Sequence, residues 1–162
     1  MTGQARGAGS APRPAPLMAS EGVSDVFGSA RPGRRDHGGA GGLGAPTAKA
    51  FLAEGARVAI VDLSQDALDA TAENLAPGEG RLITVAADVS RDDEVKRYID
   101  VVVEKWGRID AFFNHAGIEG KVAPIVDQAV ADFDRLVSVN IRGTWLGLHY
   151  VLPVMYAQRS GS

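Results

Sequence analysis

Short apolar runs alternate with segments of helical periodicity between residues 43 and 113. The runs RVAIVDL, RLITVAADV and IDAFFN are typical of strands that are buried on both faces of a sheet. The segments GAPTAKAFLAEG and SQDALDATAENLA lie between turns and carry apolar residues every three or four positions. The resulting order is helix, strand, helix, strand, helix, strand. This alternation predicts an α/β fold, a doubly wound parallel sheet with helices on both faces in three layers.

The clearest helix has one continuous apolar stripe, and local signals mark where the helices begin and end. Ser64 is predicted to cap one helix, and Ser90 with Asp93 predicts a capping box for another. Gly55 and Gly107 are placed to end helices in the left-handed conformation. A final helical segment runs from residue 131 to 155 and is predicted to be interrupted near residues 140–143. The stripe consists of Val95, Tyr98, Ile99, Val102, Val103 and Trp106.

The first part of the chain has a different composition. About half of the glycines and most of the prolines precede residue 50, and this part lacks helical or strand periodicity. We therefore expect residues 1–33 to be a disordered or extension segment and residues 34–162 to form the domain. Met18 lies inside the extension, so both Met1 and Met18 are candidate starts.

Composition and charge exclude several classes of function. A net charge of −3 without a basic cluster argues against nucleic-acid binding. The chain has no cysteine, and its three histidines lack metal-ligand spacing, so no metal site is expected. No apolar run reaches the length of a membrane span, and the N-terminus has no apolar signal core. The simplest expectation is a cytoplasmic protein.

A glycine-rich stretch, HGGAGGLG at residues 37–44, precedes the first predicted helix. Between a strand and a helix, such a turn lets backbone N–H groups approach a pyrophosphate at the positive end of the helix dipole. Asp62 follows at the end of the next strand, where a carboxylate can bind ribose hydroxyls and repel a 2′-phosphate. The pair favours NAD over NADP. The alternatives are low-complexity glycine and a surface acid that precedes a helix.

Four motifs in order resemble the short-chain dehydrogenase/reductases of the classical type. HGGAGGLG resembles the family's T-G-x-x-x-G-x-G turn, and Asp88-Val89 resembles its adenine-contacting pair. Asn114-His115-Ala116-Gly117 resembles its N-N-A-G motif, with histidine in place of the second asparagine. Val139-Asn140 with Gly143 resembles V-N-x-x-G on the following helix. The resemblance covers residues 38–162.

The resemblance implies a Rossmann-like, NAD-dependent oxidoreductase that acts on a small-molecule alcohol or carbonyl. NHAGIEGKVAPI is most similar to members that oxidise cyclic or secondary alcohols. The family resemblance also makes Asn140 one member of a catalytic tetrad. Residues 133–155 resemble the family's dimerising helix, which implies a homo-oligomer. The cofactor-binding residues that it implies are Gly38, Gly42, Leu43, Gly44, Asp62, Leu63, Asp88, Val89, Asn114, Ala116 and Gly117.

Two departures from the family pattern stand at the ends of the matched region. In the family, a serine and a Tyr-x-x-x-Lys pair carry out the chemistry. Tyr150 and Tyr156 have no lysine four residues later, and Ser162 lies too early to match the family's serine, so catalysis by this chain alone is not expected. The first, central strand is expected before the glycines, where the chain has Arg34, Arg35, Asp36 and His37. Four polar residues there would cost several kcal/mol, so the strand is predicted to be degraded, and a frameshift would explain it. Strands after the fourth are expected to be absent.

Three interpretations remain open at this point. The chain is the cofactor-binding portion of a dehydrogenase, a non-catalytic nucleotide-binding or dimerising fragment, or an unstable gene fragment.

Overall fold

A computed structural model describes residues 24–27, 40 and 42–162, with the backbone alone at residues 24–27. Residues 125–127 form one 3-10 turn. The helices and strands, in chain order, are β1 (Ser24–Phe27), α1 (Gly44–Ala53), β2 (Arg57–Asp62), α2 (Gln65–Leu75), β3 (Leu82–Ala86), α3 (Asp92–Trp106), β4 (Ala111–Phe113), α4 (Val130–Val137), a π-helical segment (Ser138–Gly143) and α5 (Thr144–Gln158).

The four strands form one parallel sheet in the order β3-β2-β1-β4. The chain builds outward from β1 to β3 and then crosses to the other side of β1 to form β4. This change of direction is the topological switch point of a doubly wound sheet, where ligands bind beyond the carboxyl ends of the strands. The predicted parallel α/β fold is confirmed.

Alternate residues of β2 serve two different hydrophobic cores. Val58 and Ile60 pack with α1 and α2, whereas Ala59 and Val61 pack with α3 and α5. All four side chains are fully buried. The alternation explains why β2 is a continuous apolar run, since both faces of the sheet are covered by helices.

The central strand differs from the prediction. Ser24–Phe27 fills the position between β2 and β4, within the segment that was expected to lack regular structure, so that expectation is wrong for these four residues. Its last two residues, Val26 and Phe27, have high strand propensity, whereas the RRDH stretch is charged. Arg34 to His37 and Gly38 lie outside the described residues.

Most of the predicted helix ends are confirmed. The Ser64 hydroxyl caps α2 by accepting a hydrogen bond from the Ala67 N–H, and Gly55 and Gly107 adopt φ of +92° and +77°. The capping box at Ser90 is wrong: the Ser90 hydroxyl donates to Asp88 instead, and Arg91 stands at the N-cap of α3 without a side-chain cap. Asp88 outcompetes the helix terminus because its carboxylate is two residues away.

Within residues 42–162 and the first strand, no helix has both the length and the hydropathy to cross a bilayer. The same residues contain no group of three His, Asp or Glu side chains that could hold a metal ion.

Candidate functional site

The predicted site residues follow three strands of the sheet, β2, β3 and β4, and lie at the same edge. Asp62 is the last residue of β2, Asp88 lies two residues beyond β3, and Asn114 directly follows β4. Because parallel strands have their carboxyl ends at one edge, these side chains belong to one rim of the molecule. Motifs that are far apart in the sequence thus form one row along the rim, in the order Asp88, Asp62, Asn114.

Asp62 is 4% exposed and is the most buried of these three residues. Its Oδ1 accepts a hydrogen bond from the Ser64 N–H at 3.0 Å, and its main-chain oxygen accepts one from the Ala87 N–H at 2.8 Å. The first bond fixes the carboxylate relative to the start of α2, and the second joins the ends of β2 and β3. Asp62 is therefore a preoriented acceptor at the strand end, with Leu63 half-buried beside it.

The loop between β3 and α3, residues 87–91, is closed around Asp88. The Ser90 N–H and hydroxyl both donate to Asp88 Oδ1, at 2.9 and 2.6 Å. The Asp88 N–H donates to Glu94 Oε2 at 2.7 Å, and Val89 is buried. These bonds hold the Asp88 carboxylate in one orientation at the rim.

The N-terminus of α1 carries no carboxylate. Leu43 stands at its N-cap and is 51% exposed, Gly44 is buried, and Gly42 lies in the preceding turn. No side chain of the described residues caps this helix, and its first turn contains no Asp or Glu. The positive end of the helix dipole is therefore not neutralised by an acidic side chain of its own first turn.

Asn140 lies in the π-helical segment and pairs with the loop after β4. Its Oδ1 accepts from the Ile118 N–H at 2.8 Å, and its Nδ2 donates to the Ile118 carbonyl at 3.0 Å. A Cβ on Gly117 would lie 3.4 Å from Asn140 Oδ1, so the loop passes close to the amide. The interruption predicted near residues 140–143 is confirmed as a π turn, and it coincides with this two-bond contact.

Thr144 connects Asn140 to the end of β4. Its hydroxyl donates to the Asn140 carbonyl at 2.7 Å, and its own carbonyl accepts from Asn114 Nδ2 at 2.9 Å. A Cβ on Gly147 would lie 2.8 Å from the Phe112 ring, so only glycine lets α5 approach β4 this closely. Sequence reasoning missed Thr144, because its role depends on the packing of α5 against β4.

A cleft of about 280 Å³ opens beside this network. Asn114, Ala116, Gly117 and Asn140 line it, together with neighbouring residues of the loop. The His115 ring is stacked on Phe113 with a centroid separation of 5.2 Å. The stacking gives His115 a packing role. The family motif has asparagine at this position.

The outer face of α4, the π-helical segment and α5 is apolar and exposed. Phe133, Ile141, Trp145 and Tyr156 are 60%, 62%, 59% and 74% exposed, and Leu148 and Leu152 lie on the same surface. We call these six residues the outer helical face. From Ile141 onward they recur at helical spacing, which is the pattern of a surface that packs against another helix.

Comparison with known proteins gives the same family. Levodione reductase from Leifsonia aquatica is 45% identical over 127 residues, which are 76% of this chain and 47% of that protein. Its crystal structure superposes with a TM-score of 0.75 at 39% identity, over 86% of this chain and 51% of that one. The structure of NAD+-bound xylitol dehydrogenase gives a TM-score of 0.72 at 30% identity, over 86% and 50% of the two chains.

The chain thus spans about half the length of the relatives that it matches. Residues 37–162, more than three quarters of the chain, match the profile of the family described as short chain dehydrogenase. With the sheet order, the row of strand-end residues and these similarities together, the chain belongs to the short-chain dehydrogenase family.

Proposed function

We propose that these residues form the NAD-binding part of an oxidoreductase that interconverts a small-molecule alcohol and its carbonyl compound. The observation that carries the proposal is Asp62, a preoriented carboxylate at the end of β2 and 4% exposed. Oxidoreductase chemistry is the property of the family, and several similar proteins are named as reductases or dehydrogenases. When bound, the nicotinamide ring would accept or supply the hydride.

The described residues fit a dinucleotide. The N-terminus of α1, with Gly42, Leu43 and Gly44, lacks an acidic side chain in its first turn and suits a pyrophosphate. Asp62 with Leu63 would bind the adenosine ribose through the carboxylate. The remaining residues of the row divide between the two ends of the cofactor: Asp88 and Val89 at the adenine, and Asn114, Ala116 and Gly117 at the nicotinamide side. Gly38 belongs to the same proposal and lies outside the described residues.

The preference for NAD over NADP follows from the charge of Asp62. A ribose diol offers two hydroxyl donors to the carboxylate, whereas a 2′-phosphate would place negative charge against it. Burial strengthens this discrimination because the low exposure of Asp62 leaves little water to screen the two charges.

For Asn140 we propose a role through position. Its side chain holds the Ile118 main chain through two hydrogen bonds, and the π turn at Asn140 lies directly before α5. Within the 162 residues no tyrosine is followed by a lysine four positions later. The activity that we assign to these residues themselves is therefore nucleotide binding. Proton transfer to the substrate is assigned to the family's Tyr-x-x-x-Lys pair, which these 162 residues do not contain.

The outer helical face is proposed as a homo-oligomer contact. Its apolar side chains are exposed in the single chain, as expected of a surface that a second copy covers. Sedimentation velocity of wild type and Trp145→Lys checks this: the wild type should self-associate and the variant should sediment as a monomer.

Calorimetric titration with NAD and NADP tests the proposed function. The wild type should bind NAD with saturation and at least tenfold more tightly than NADP. Asp62→Asn should lower NAD affinity by about tenfold and bring the two affinities close together, since one lost charged hydrogen bond corresponds to about that factor. Asp66→Asn, an exposed acid in the first turn of α2, is the matched control and should change neither. A wild type that binds neither dinucleotide, or an Asp62→Asn variant that keeps the NAD preference, would contradict the proposal.

A further inference from the structure

The helical unit that carries Asn140 also contacts the loop between β3 and α3. Arg142, two residues after Asn140, donates a hydrogen bond from its guanidinium to the Ser90 carbonyl. Tyr150, two turns further along, donates its hydroxyl proton to Asp92 Oδ1 at 2.6 Å, and this bond raises the pKa of the tyrosine. Two polar contacts thus join the helical unit to residues 90 and 92, on either side of the start of α3.

Gly143 allows this approach. A Cβ at Gly143 would lie 3.0 Å from Val89 Cγ2 and 3.1 Å from the Val89 carbonyl oxygen. Glycine inside a helix is less favourable than alanine, because it loses more backbone entropy on folding. The close contact with Val89 requires glycine at position 143. The same contact brings the neighbouring Arg142 within reach of the loop.

The Arg142 contact leads directly to Asp88. Ser90, whose carbonyl Arg142 binds, donates both its N–H and its hydroxyl to Asp88 Oδ1. The Ser90 N–H and carbonyl lie in the two peptide planes that meet at the Ser90 Cα. The bond from Arg142 holds the second plane, while the bonds to Asp88 hold the first plane and the side chain. Arg142 therefore restrains the same loop segment that sets the direction of the Asp88 carboxylate.

We infer that Arg142 is a positioning residue for base recognition: by holding Ser90, it fixes the Asp88 carboxylate as an acceptor for the exocyclic amine of adenine. The inference rests on the proposed function, in which Asp88 and Val89 lie at the adenine. Arg142 lies in the helical unit that follows β4, whereas Asp88 lies in the loop that follows β3. The inference thus adds a residue from a different part of the sequence to adenine recognition.

ADP and IDP separate this role from a general effect on folding. The two nucleotides share ribose and pyrophosphate, and IDP has a carbonyl in place of the adenine amine. IDP also carries a hydrogen on N1, so only a group that reads this edge of the base, the position 6 substituent or N1, changes the ratio of the two affinities. In calorimetric titrations the wild type should bind ADP about tenfold more tightly than IDP.

Arg142→Met keeps the aliphatic stem and removes the donors. It should lower the ADP/IDP ratio to about two or three, mainly by weakening ADP. Arg142→Lys keeps a donor and should restore most of the ratio, and Arg135→Met, at an exposed position of α4, should retain the wild-type value. Ser90→Ala, which removes one of the two donors to Asp88 at a different site, should give an intermediate ratio.

An Arg142→Met protein that keeps the wild-type ratio, or that loses ADP and IDP affinity in equal proportion, overturns the inference. If Arg142→Met does not melt cooperatively, an unchanged ratio in Ser90→Ala overturns it. Absence of saturable ADP binding to the wild type is a different result: it overturns the proposed function, and the inference with it.

Discussion

The N-termini of α1 and α3 both follow strands of the same parallel sheet, yet their first turns are opposite in charge. The first turn of α3 contains Asp92, Asp93 and Glu94, whereas the first turn of α1 contains no acid. Glu94 also accepts the Asp88 N–H and pairs with Arg91 at 2.8 Å. The dipole of α3 is thus complemented by acids of its own first turn, and that of α1 is not.

This difference distinguishes the two helix ends at one edge of the sheet. Acids at α3 stabilise the helix and repel anions, which is why our proposal assigns the pyrophosphate to α1. The adjoining carboxylates, Asp62 and Asp88, are preoriented by main-chain donors and by Ser90. They suit hydroxyl and amine groups of a nucleotide rather than its phosphates.

The largest effect on stability and on ADP binding is expected from breaking the central strand, β1, which precedes α1. Val26→Pro removes a backbone N–H from a strand that pairs on both sides and leaves a ladder carbonyl without its donor, at a cost of about 2 kcal/mol or more. We expect loss of the cooperative melt followed by circular dichroism, together with loss of ADP binding.

Arg35→Pro is the control for the competing strand assignment. It should melt like the wild type. If Arg35→Pro unfolds the protein and Val26→Pro does not, RRDH forms the central strand and the pairing of Ser24–Phe27 is contradicted.

The second largest effect on ADP binding is expected from placing a negative charge at the N-terminus of α1, like the acids at the N-terminus of α3. Leu43→Asp should raise the Kd for ADP at least tenfold, because a carboxylate at the N-cap meets the pyrophosphate. The same change should leave the melting temperature equal or higher, because Asp is a better N-cap than leucine by about 1 kcal/mol. Calorimetry and thermal denaturation on one sample check both signs.

Leu43→Asn separates charge from capping. It should share the stability of the Asp variant while binding ADP nearly as well as the wild type. Equal ADP affinities of the Asp and Asn variants would show that the charge at this terminus is irrelevant to the ligand.

A smaller effect is expected from Glu94, which complements α3 and supports Asp88. Glu94→Ala leaves the partly buried Asp88 N–H without its acceptor, which should reduce the free energy of unfolding by about 1–2 kcal/mol. Glu104→Ala, exposed on the same helix, should have little effect. Urea denaturation measures the two, and indistinguishable midpoints would refute the supporting role of Glu94.

The smallest effect is the pH dependence of the α3 terminus. The hydrogen bond from Arg91 lowers the pKa of Asp93 below its usual value of 3.8. A carboxylate with a lowered pKa in the folded state stabilises the protein above that usual value, and this stabilisation is lost as the pH falls through the folded-state pKa. Both side chains are exposed, so Asp93→Asn should reduce the melting temperature slightly at pH 7 and not at all near pH 2. A difference that grows toward acid pH would reverse the assigned sign.

The helices and strands from residue 44 onward could be predicted because their patterns are local. The apolar stripe of α3 and the apolar run of β2 indicate, from the sequence alone, which of their residues are buried. β1 could not be predicted, since Ser24–Phe27 has only two apolar residues within a stretch rich in glycine and proline. Its selection depends on the two strand edges that it completes, which no local pattern contains.

The candidate site divides in the same way. Asp62, Asp88 and Asn114 could be located from the sequence because each follows a recognisable strand. Arg142 and Thr144 could not, because their partners, Ser90 and Asn140, are set by how the last helical unit packs on the sheet. The wrong capping box at Ser90 has a local origin instead: the carboxylate of Asp88, two residues earlier, accepts the hydroxyl hydrogen bond.

The most direct test of the account is a titration of the ¹⁵N-labelled chain with ADP-ribose, followed by amide chemical shifts. The account predicts saturable shifts at Gly42 to Ala45, at Asp62 and Leu63, and at Asp88 and Val89, with amides 96–106 of α3 unchanged. Shifts confined to α3 and absent from α1 and the end of β2, or no saturable shifts in a folded chain, would contradict it.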